Sequence, residues 1–369
     1  MSPSTLDPDR EVRFALVGPG KVAELHAAAL GRIPGARLVA VAGRDHVRTA
    51  AFAQRFGARA DGGLAETLVR GGVDAVVLCT PHPLHADQAI EVADAGLAVI
   101  VEKPLALDPG DADRILAAAR ASGVLLSVIS QRRWYPAVRR VKAAIDEGRI
   151  GTPGLATLEV LGWRGPEYYA MDAWRGTQAG EGGGVLVNQA VHLLDLLCWF
   201  LGDPVEVDGF TANVNHPEIE VEDTAVAVVR FASGALATVT ASNAQRPGLW
   251  GRVHVHGRNG ASVGVETDTG SSFVAGMSAP SPARNDLWAI PGEAQLAEGW
   301  PAEDAAAMAG LDLETHFHEL QLRDITAAIR ERRTPEVSGE DGRRAVALLW
   351  AVYEAQATGG RVLLPAHGP

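Results

Sequence analysis

The chain has 369 residues, of which 47% are hydrophobic and 21% charged. This composition favours a folded protein of two domains and excludes long disordered tracts. Its formal net charge of −12 opposes binding to nucleic acid, because such binding depends on Lys and Arg at the phosphates.

We expect neither a secretory signal nor a membrane span. The first ten residues lack a basic start and an apolar segment, and the densest apolar stretch, Leu193 to Leu201, is too short and contains Asp195. Two cysteines without metal-ligand spacing indicate a reduced compartment, so a cytoplasmic protein is predicted.

Short β-branched runs alternate with Ala-rich stretches of helical period in the first third of the chain, which is typical of a parallel sheet with crossover helices. The predicted strands are Val12 to Val17, Arg37 to Ala42, Ala75 to Cys79, Ala98 to Val101 and Leu125 to Val128. Helices are predicted to begin near Lys21, Val47, His85 and Pro109. We therefore predict an α/β class, doubly wound Rossmann domain over residues 1–130.

A different pattern follows, which predicts an α+β domain over residues 131–369, built on an open, mostly antiparallel sheet. A helix is predicted at Pro136 to Glu147, and hairpins are predicted to turn at Ser233-Gly234 and Asn259-Gly260. Residues 275–301 are predicted to form a long surface connection. The predicted final elements are helices at Leu313 to Arg330 and Gly342 to Gln356 and a strand at Val362 to Leu364. The last helix and strand are candidates to pack back on the first domain.

A glycine-rich turn follows the first predicted strand, with the sequence Gly18-Pro19-Gly20-Lys21-Val22-Ala23. A strand that runs through such glycines into a helix is the fingerprint of dinucleotide binding, since the backbone amides can approach a pyrophosphate there. Gly18, Gly20, Lys21 and Val22 are therefore candidate cofactor-binding residues. The alternative is a tight turn that binds no ligand.

The end of the second predicted strand bears on the choice of cofactor. An acid that reads the ribose normally lies about 20 residues past the glycines, where this chain has Gly43-Arg44-Asp45. Gly43 leaves room for a 2′-phosphate and Arg44 can pair with it, which favours NADP over NAD. Asp45 keeps NAD open, and Arg44 as a solvated loop cation is the alternative.

Several separate motifs resemble the glucose-fructose oxidoreductase, inositol dehydrogenase and MocA (Gfo/Idh/MocA) family over nearly the whole chain. They are GPGKVAELH at 18–26, CTPHPLH at 79–85, VEKP at 101–104, Trp174-Arg175 followed by Gly182 to Gly184 and His192, QLRD at 321–324 and EDGR at 340–343. The resemblance implies a Rossmann domain with an open-faced sheet, a nicotinamide cofactor, and oxidation or reduction of a sugar, cyclitol or related compound.

Lys103 is the first catalytic candidate, because Glu102-Lys103-Pro104 follows a parallel strand at its carboxyl end, where such sheets hold ligands. A lysine there can hydrogen-bond the reacting oxygen and act as acid or base. The resemblance suggests that the Lys103–Pro104 bond is cis. Taken alone, a lysine before proline is a turn residue.

His192 is the second catalytic candidate, and Asn188 lies four residues before it on the same helix face. The family often has Asp where this chain has Asn188, which removes one possible base. His192 can still accept the hydroxyl proton, whereas Asn188 can only orient the substrate or the imidazole. A helix histidine satisfied by a backbone carbonyl is the alternative.

Further candidates complete the predicted site. Those assigned to the cofactor are Cys79, Thr80, Pro81, His82, His85, Glu102, Lys103 and Gln131. Those assigned to the substrate are Lys103 again, Asn188, His192, Trp163 and Arg175. Surface packing is the alternative for the aromatic and arginine residues. We predict no metal, since His254, His256, His316 and His318 lack partners at a recognisable ligand spacing.

These residues lead to the hypothesis of direct hydride transfer between nicotinamide and a sugar-like substrate, with Lys103 and His192 handling the hydroxyl proton. One alternative is an enzyme with retained NAD that assists elimination or glycoside cleavage. Another is a non-catalytic NAD(P)-binding regulator, for which Asn188 is the best support. Because an open sheet needs a cover for its apolar face, a homodimer or homotetramer is predicted.

Overall fold

The computed structural model describes residues 11–246, 251–268 and 283–365. Its strands are β1 (Val12–Val17), β2 (Ala36–Ala42), β3 (Arg59–Asp61), β4 (Ala75–Leu78), β5 (Ala98–Val101), β6 (Leu126–Val128), β7 (Pro153–Leu161), β8 (Pro204–Ala212), β9 (Thr224–Phe231), β10 (Leu236–Ser242), β11 (Gly251–Gly257), β12 (Ser262–Asp268), β13 (Arg284–Ala289) and β14 (Val362–Leu363). Its helices are α1 (Lys21–Leu30), α2 (His46–Arg55), α3 (Leu64–Arg70), α4 (His85–Asp94), α5 (Pro109–Ser122), α6 (Pro136–Asp146), α7 (Pro166–Ala170), α8 (Gln178–Glu181), α9 (Val191–Leu201), α10 (Ala294–Ala307), α11 (Leu313–Glu331) and α12 (Gly339–Thr358).

The chain folds into two compact units. The first contains Met1–Gln131 and Glu314–Arg343, and the second contains Arg132–Leu313 and Arg344–Pro369. The chain thus leaves the first unit one residue after the predicted boundary. The segment that returns to the first unit is α11 with the start of α12. Of the predicted candidates, the start of the last helix thus belongs to the first unit, and the final strand belongs to the second. The assignment of the two units as separate functional domains stays a prediction.

The first unit is built on a parallel sheet with the strand order β3-β2-β1-β4-β5-β6. β4 and β5 read Ala-Val-Val-Leu and Ala-Val-Ile-Val and are buried along their whole length, as expected of strands covered by helices on both faces. The strand order reverses between β1 and β4, and the crevice at the carboxyl ends of the strands at such a point is where this fold binds ligands. The predicted Rossmann architecture is confirmed.

The five predicted strands correspond to β1, β2, β4, β5 and β6, whereas β3 and α3 were not predicted. β3 spans three residues at the edge of the sheet, and two of them, Arg59 and Asp61, are charged. Such a segment carries no apolar run. Pairing with β2 alone makes it a strand, so only the tertiary structure reveals it.

The second unit is built on a sheet with the order β13-β12-β11-β7-β10-β9-β8-β14. The hairpins β9–β10 and β11–β12 confirm the predicted turns, where Gly234 and Gly260 have φ of +81° and +87°. The neighbouring strands are antiparallel except β7 and β10, which pair in parallel. The predicted α+β class with a mostly antiparallel sheet is confirmed.

One predicted surface connection is wrong in part. Residues 269–282 lie outside the described residues, but 283–301 form β13 and the start of α10 instead of an irregular loop. The indole rings of Trp288 and Trp300 meet edge to face at 4.7 Å, and the guanidinium of Arg140 lies 4.7 Å from the ring of Trp300. Packing between distant residues therefore holds together a segment whose composition favours a loop.

One helical stretch of the described residues, Gln178–Leu201, is long and apolar enough to pass a length-and-composition test for a membrane span. In its most apolar window 83% of the residues are buried. Burial of this kind is also what the core helix of a globular unit shows, so the test carries little weight here.

Candidate active site

The glycine-rich turn after β1 packs tightly against the end of β4. Gly18 has φ of +92°, and a Cβ there would lie 2.7 Å from the carbonyl oxygen of Cys79. Gly20 precedes α1, and its lack of a side chain leaves the first turn of the helix without a side-chain cap. Backbone amides at an uncapped helix start are the donors that bind a pyrophosphate. Lys21 and Val22, also predicted to bind the cofactor, are the first two residues of this helix.

At the end of β2 the three predicted residues have different roles. Arg44 is exposed, whereas the carboxylate of Asp45 accepts the backbone N–H of Arg48 at 3.0 Å and caps α2. The space that a side chain of residue 43 would take is filled, because a Cβ on Gly43 would lie 2.6 Å from the Thr49 hydroxyl. The glycine therefore allows close packing. The expectation that it leaves room for a 2′-phosphate is wrong for the space of the missing Cβ, which Thr49 and Pro19 already fill.

The loop after β4 is tied to the loop after β5 by one buried histidine. His85 lies with Nε2 2.9 Å from the Thr80 carbonyl oxygen and with Nδ1 2.8 Å from the Pro104 carbonyl oxygen. Burial lowers the pKa of His85 by more than the two carbonyl groups raise it. A neutral ring carries one N–H, so it donates to one of these carbonyls at a time. Nearby, the Thr80 hydroxyl lies 2.6 Å from Oε1 of Gln88.

Of the other candidates in that loop, Pro81 is exposed and His82 half-buried, with the His82 ring centroid 5.7 Å from that of His85. Gln131 lies in a short 3₁₀ turn at the end of the first unit, and its buried Oε1 has no hydrogen-bond partner among the described residues. Cofactor contact by these residues stays a prediction.

Lys103 lies directly after β5 and Glu102, in a half-buried position. The Lys103–Pro104 bond is cis, as the family resemblance suggested. The backbone N–H of Lys103 donates to the Glu102 carboxylate at 3.0 Å. The structure thus brings Glu102, Lys103, His85 and Thr80 together at the carboxyl ends of β4 and β5, and Gly18 lies against Cys79 at the same edge of the sheet.

Behind Lys103 lies a buried cluster that was not predicted, formed by His26, Glu102 and His318. His26 Nε2 lies 2.7 Å from a Glu102 oxygen, and the rings of His26 and His318 meet edge to face at 5.2 Å. Burial alone would raise the pKa of Glu102, but the His26 hydrogen bond and attraction to His26, His318 and Lys103 lower it to about 2. The three residues are far apart in sequence, so no ligand spacing could reveal them.

In the second unit, Asn188 and His192 lie on one continuous helical run that begins with a π-helical turn, Leu186–Ala190, and continues as α9. Within residues 186–201 the half-buried positions are Asn188, His192 and Trp199, and the others are buried. Asn188 and His192 are therefore two of the three positions in this run that are partly exposed. π-Helical turns are rare and often occur at functional sites.

Asn188 is held by a carboxylate that the sequence analysis did not single out. Its amide donates to Glu181, which is 2% exposed, and to the hydroxyl of Tyr168 at 3.2 Å. Because an Asp at position 188 would set two carboxylates side by side, the neighbouring Glu181 gives a physical reason for the amide. Glu181 also accepts the N–H of Gly176 at 2.7 Å.

The glycines before this helix fit against a second buried carboxylate. Glu222 accepts the backbone N–H groups of Gly184 and Leu186 at 2.8 and 3.0 Å and the hydroxyl of Tyr353 at 2.8 Å. Burial raises the pKa of Glu222 despite these donors. Glu222, which precedes β9, and Tyr353 of α12 thereby hold the start of the helical run that carries Asn188 and His192.

Asp195, also on α9, is paired with a buried arginine. Its two oxygens accept the guanidinium of Arg133 at 2.8 and 2.6 Å, in a pair that is almost fully buried. Asp195 and Arg133 therefore form a buried ion pair within the second unit.

The predicted substrate residues Trp163 and Arg175 belong to one aromatic cluster. The guanidinium of Arg175 lies 4.3 Å from the ring centroid of Tyr168, and Arg164 lies 5.0 Å from the same ring. Through Tyr169 and His216 the rings continue to Trp163, with centroid separations of 5.1 to 5.3 Å. Tyr168 connects this cluster to Asn188, so the structure brings Arg175 and Asn188 into one neighbourhood.

The fold and these strand-end residues define a class, the NAD-binding oxidoreductases with a Rossmann unit. A family model described as "Oxidoreductase family, NAD-binding Rossmann fold" matches residues 12–130. One described as "GFO/IDH/MocA C-terminal domain" matches residues 138–263. The chain belongs to the Gfo/Idh/MocA family of oxidoreductases, as the resemblance in the sequence indicated.

Characterised relatives match over most of the chain. The 1,5-anhydro-D-fructose reductase of Ensifer adhaerens is 30% identical over 94% of this chain and 97% of its own length. The inositol 2-dehydrogenase of Rhizobium meliloti (strain 1021) is 31% identical over 71% and 80%, respectively. The crystal structure of the WlbA dehydrogenase from Bordetella pertussis in complex with NADH and UDP-GlcNAcA is 33% identical, has a TM-score of 0.85, and covers 98% of this chain and 99% of that chain.

Proposed function

We propose that Lys103 and His192 handle the hydroxyl proton while a hydride passes between a nicotinamide cofactor and a CH–OH or carbonyl carbon of a sugar or cyclitol. The observation that carries this proposal is the anchoring of Lys103 after β5, at the strand ends where this fold binds its ligand. His192 supports it, because it lies on a face with Asn188 that the surrounding core leaves partly open.

The residues at these strand ends suit the group that the family binds. In the proposal, the amides that follow Gly18 and Gly20 hold the pyrophosphate, and Thr80 and His82 border the nicotinamide end. The nicotinamide supplies or accepts the hydride when bound. Lys103 hydrogen-bonds the reacting oxygen, Asn188 orients the substrate, and His192 accepts or returns the proton.

The dinucleotide that we infer is NADP, although the WlbA relative was solved with NADH. Arg44 is exposed at the end of β2, and Arg48 lies one helical turn further on. Asp45, the acid next to Arg44 at the end of β2, uses its carboxylate to cap α2. A strand end with exposed arginine and an acid already engaged in capping suits a 2′-phosphate better than a ribose 2′-hydroxyl.

Replacing the lysine tests the proposal. In Lys103→Met, turnover on a panel of sugars and cyclitols with NAD or NADP should fall by about 10²–10⁴-fold, because the acid–base group is lost. NADH and NADPH binding, followed by nicotinamide fluorescence, should change less than about twofold, because the pyrophosphate site is intact. The matched control is Lys142→Met, which removes a half-buried lysine of α6 paired with Asp146 and should retain full turnover.

A Lys103→Met protein as active as the parent would refute the catalytic assignment. The same assay separates the alternatives of the sequence analysis. Cofactor that co-purifies and is never released during turnover would favour a retained NAD, and binding without turnover on any substrate would favour a regulator.

A second candidate, reduction or oxidation of an acidic sugar, is favoured by the arginines around Tyr168. Arg164 and Arg175 both lie within 5.0 Å of the centre of this ring, beside the amide of Asn188. Two guanidinium groups beside the proposed substrate residue Asn188 suit a carboxylate or phosphate. The ligand of the WlbA relative, UDP-GlcNAcA, is anionic through its diphosphate.

The acidic-sugar candidate is tested with Arg175→Gln on matched neutral and acidic substrates. KM for a uronic acid or a sugar nucleotide should rise about 10–100-fold, because a charge-assisted hydrogen bond is lost. KM for the neutral sugar should stay within about twofold. Equal effects on both substrates would contradict an anion-reading role for Arg175.

We also infer a cytoplasmic enzyme that works as a homodimer or homotetramer. The outer face of the second unit's sheet supports association, because Phe210, Val226, Val228, Leu236 and Leu155 are exposed there. Strand pairing places Phe210 beside Val226, and Val228 lies two residues further along β9, so these three side chains form an apolar patch. Leu236 and Leu155 form a second apolar pair further along the sheet, where Arg230 lies opposite Leu236. A patch of this kind needs a cover in water.

A further inference from the structure

The Glu102 carboxylate lies inside the first unit and contacts groups from separate parts of the chain. One oxygen accepts the backbone N–H of Lys103 at 3.0 Å, and the other lies 2.7 Å from Nε2 of His26. Glu102 is 6% exposed and His26 fully buried. Because Glu102 titrates far below neutral pH, the carboxylate is ionised and only accepts, so the His26 nitrogen donates to it.

The cluster joins three separate segments of the cofactor-binding unit. His26 lies on α1, the helix that begins at the glycine-rich turn, and Glu102 follows β5 directly before Lys103. His318 comes from α11, the segment that returns to this unit near the end of the chain. Its Nδ1–H donates to the Glu314 carbonyl oxygen at 2.6 Å, which fixes the ring in place.

A hydrogen-bonded cluster describes these residues better than a metal site. The ligand-capable atoms of His26, Glu102 and His318 all lie within 4.8 Å of one another. However, the 2.7 Å between His26 and Glu102 is the separation of a charge-assisted hydrogen bond, and the second Glu102 oxygen is taken by an amide. Nε2 of His26 and both oxygens of Glu102 are therefore already engaged in hydrogen bonds.

Stability alone is a poor reason for this cluster. A buried carboxylate is costly unless its charge is compensated, and replacing a buried ion pair by apolar residues is often neutral or stabilising. His26 adds to that cost, because its Nδ1 is buried with no hydrogen-bond partner among the described residues. A local arrangement that costs stability and lies one residue from the proposed catalytic lysine points to function.

We propose that His26, Glu102 and His318 form a positioning cluster that fixes the backbone of Lys103 relative to α1 and sets the charge around its ammonium group. This inference rests on the proposed role of Lys103 and assigns Glu102 as a positioning residue. The cofactor-binding helix and the proton-handling lysine are thereby joined through one carboxylate.

The expected pH effect follows from the charges that face Glu102. They are His26 from α1, His318 from α11, Lys103 beside it, and the more distant His85 from α4 and Cys79 after β4. Attraction between Glu102 and Lys103 is mutual, so the carboxylate favours the protonated lysine. Removing the negative charge therefore favours the neutral form of Lys103. The limb of the pH–kcat profile that depends on this lysine then moves to lower pH.

The test compares Glu102→Gln with the full-length parent over a range of pH. The limb of the kcat profile should move down by about one pH unit, and kcat at its optimum should fall about tenfold. NADH binding by fluorescence should change less than about twofold. Glu102→Asp keeps the charge but withdraws it by one methylene, so it should keep the parent's pH limb and lose about tenfold in kcat.

The matched control is Asp74→Asn. Asp74 also accepts a backbone N–H and pairs with a cation, both from Arg13, but it precedes β4 at the opposite end of the sheet. A merely structural loss should lower the melting temperature of this control as well, with no change of its pH profile.

Outcomes separate this inference from the proposed function. If Lys103→Met is inactive while both Glu102 variants show the parent's kcat and pH profile, the positioning cluster is refuted and the role of Lys103 stands. If Lys103→Met is fully active, the proposed function fails first. Should Glu102→Gln fail to fold, Glu102→Asp decides: parental kcat refutes the inference and a lowered kcat with an unchanged pH limb supports it.

Discussion

Arg44 and Asp45 are neighbours at the end of β2, yet one is exposed and the other is engaged in capping α2. The sequence offers both as readers of the ribose. The hydrogen bond to the Arg48 amide distinguishes them, because a carboxylate that caps a helix keeps its position there. Arg44 is therefore the residue that we expect to select the cofactor.

Arg44→Ser should lower the affinity for NADPH by about 10–30-fold, since a charge-assisted hydrogen bond to the 2′-phosphate contributes on the order of 1.5–2 kcal/mol. Affinity for NADH should change less than about twofold. Fluorescence titration with both dinucleotides measures the ratio. Arg32→Ser, on the exposed turn after α1, is the control, and equal losses for both cofactors in Arg44→Ser would contradict a phosphate-reading role.

Site residues differ in how far the sequence revealed them. Lys103, His192 and Asn188 stand in motifs whose neighbours are close in the chain, so spacing and resemblance are enough to propose them. Glu181 precedes the glycines, but nothing in its local sequence says that its carboxylate meets Asn188. That contact depends on how α8 and the π-helical turn fold against each other, which is a tertiary outcome.

At the scale of elements, the turn that leads into α9 is the most constrained part of the second unit's site. A Cβ on Gly184 would lie 1.7 Å from the backbone carbonyl oxygen of Glu222. Backbone cannot move aside as a flexible side chain can. The Glu222 carboxylate also accepts the backbone N–H groups of Gly184 and Leu186, so these hydrogen bonds tie Glu222 to the start of the helical run.

Gly184→Ala should therefore lower the melting temperature by about 2–10 °C, because the clash costs on the order of 1–3 kcal/mol. Turnover of the folded fraction should fall as well, since Asn188 and His192 follow this turn. Gly162→Ala is the control: a Cβ there meets nothing within 4 Å. A Gly184→Ala protein as stable and active as Gly162→Ala would show that the turn tolerates displacement.

Elements were predictable where local pattern and tertiary context agree. β4 and β5 are continuous apolar runs, and the hairpin turns carry Gly at the positions that need positive φ. β13 and α10 were missed because Pro301 and the surrounding small residues favour a loop. Contacts of Trp288 and Trp300, including those with the guanidinium groups of Arg149 and Arg140, overrule that preference.

At the scale of the whole molecule, the exposed face of the second unit's sheet predicts self-association. Light scattering of the parent at micromolar concentration should give the mass of a dimer or tetramer, because the apolar patch around Phe210 and Val228 is costly in water. The double variant Phe210→Glu with Val228→Glu should shift the mass to that of a monomer, since buried like charges oppose the interface.

The control for this prediction is Val69→Glu, which replaces an even more exposed apolar residue on α3 of the first unit. It should keep the parent's mass. A parent that is already monomeric would show that the sheet face is not an interface between copies.

By itself, the sequence determined the class of both units, the dinucleotide fingerprint and the proposed catalytic pair, because each depends on residues near one another along the chain: apolar runs, a glycine turn, a lysine before proline, and side chains four apart on a helix. Only the tertiary structure decided that α11 returns to the first unit, that β7 and β10 pair in parallel, and that His26, Glu102 and His318 meet. These contacts join residues far apart in the chain, and local pattern carries no information about which distant partner a buried polar group will find.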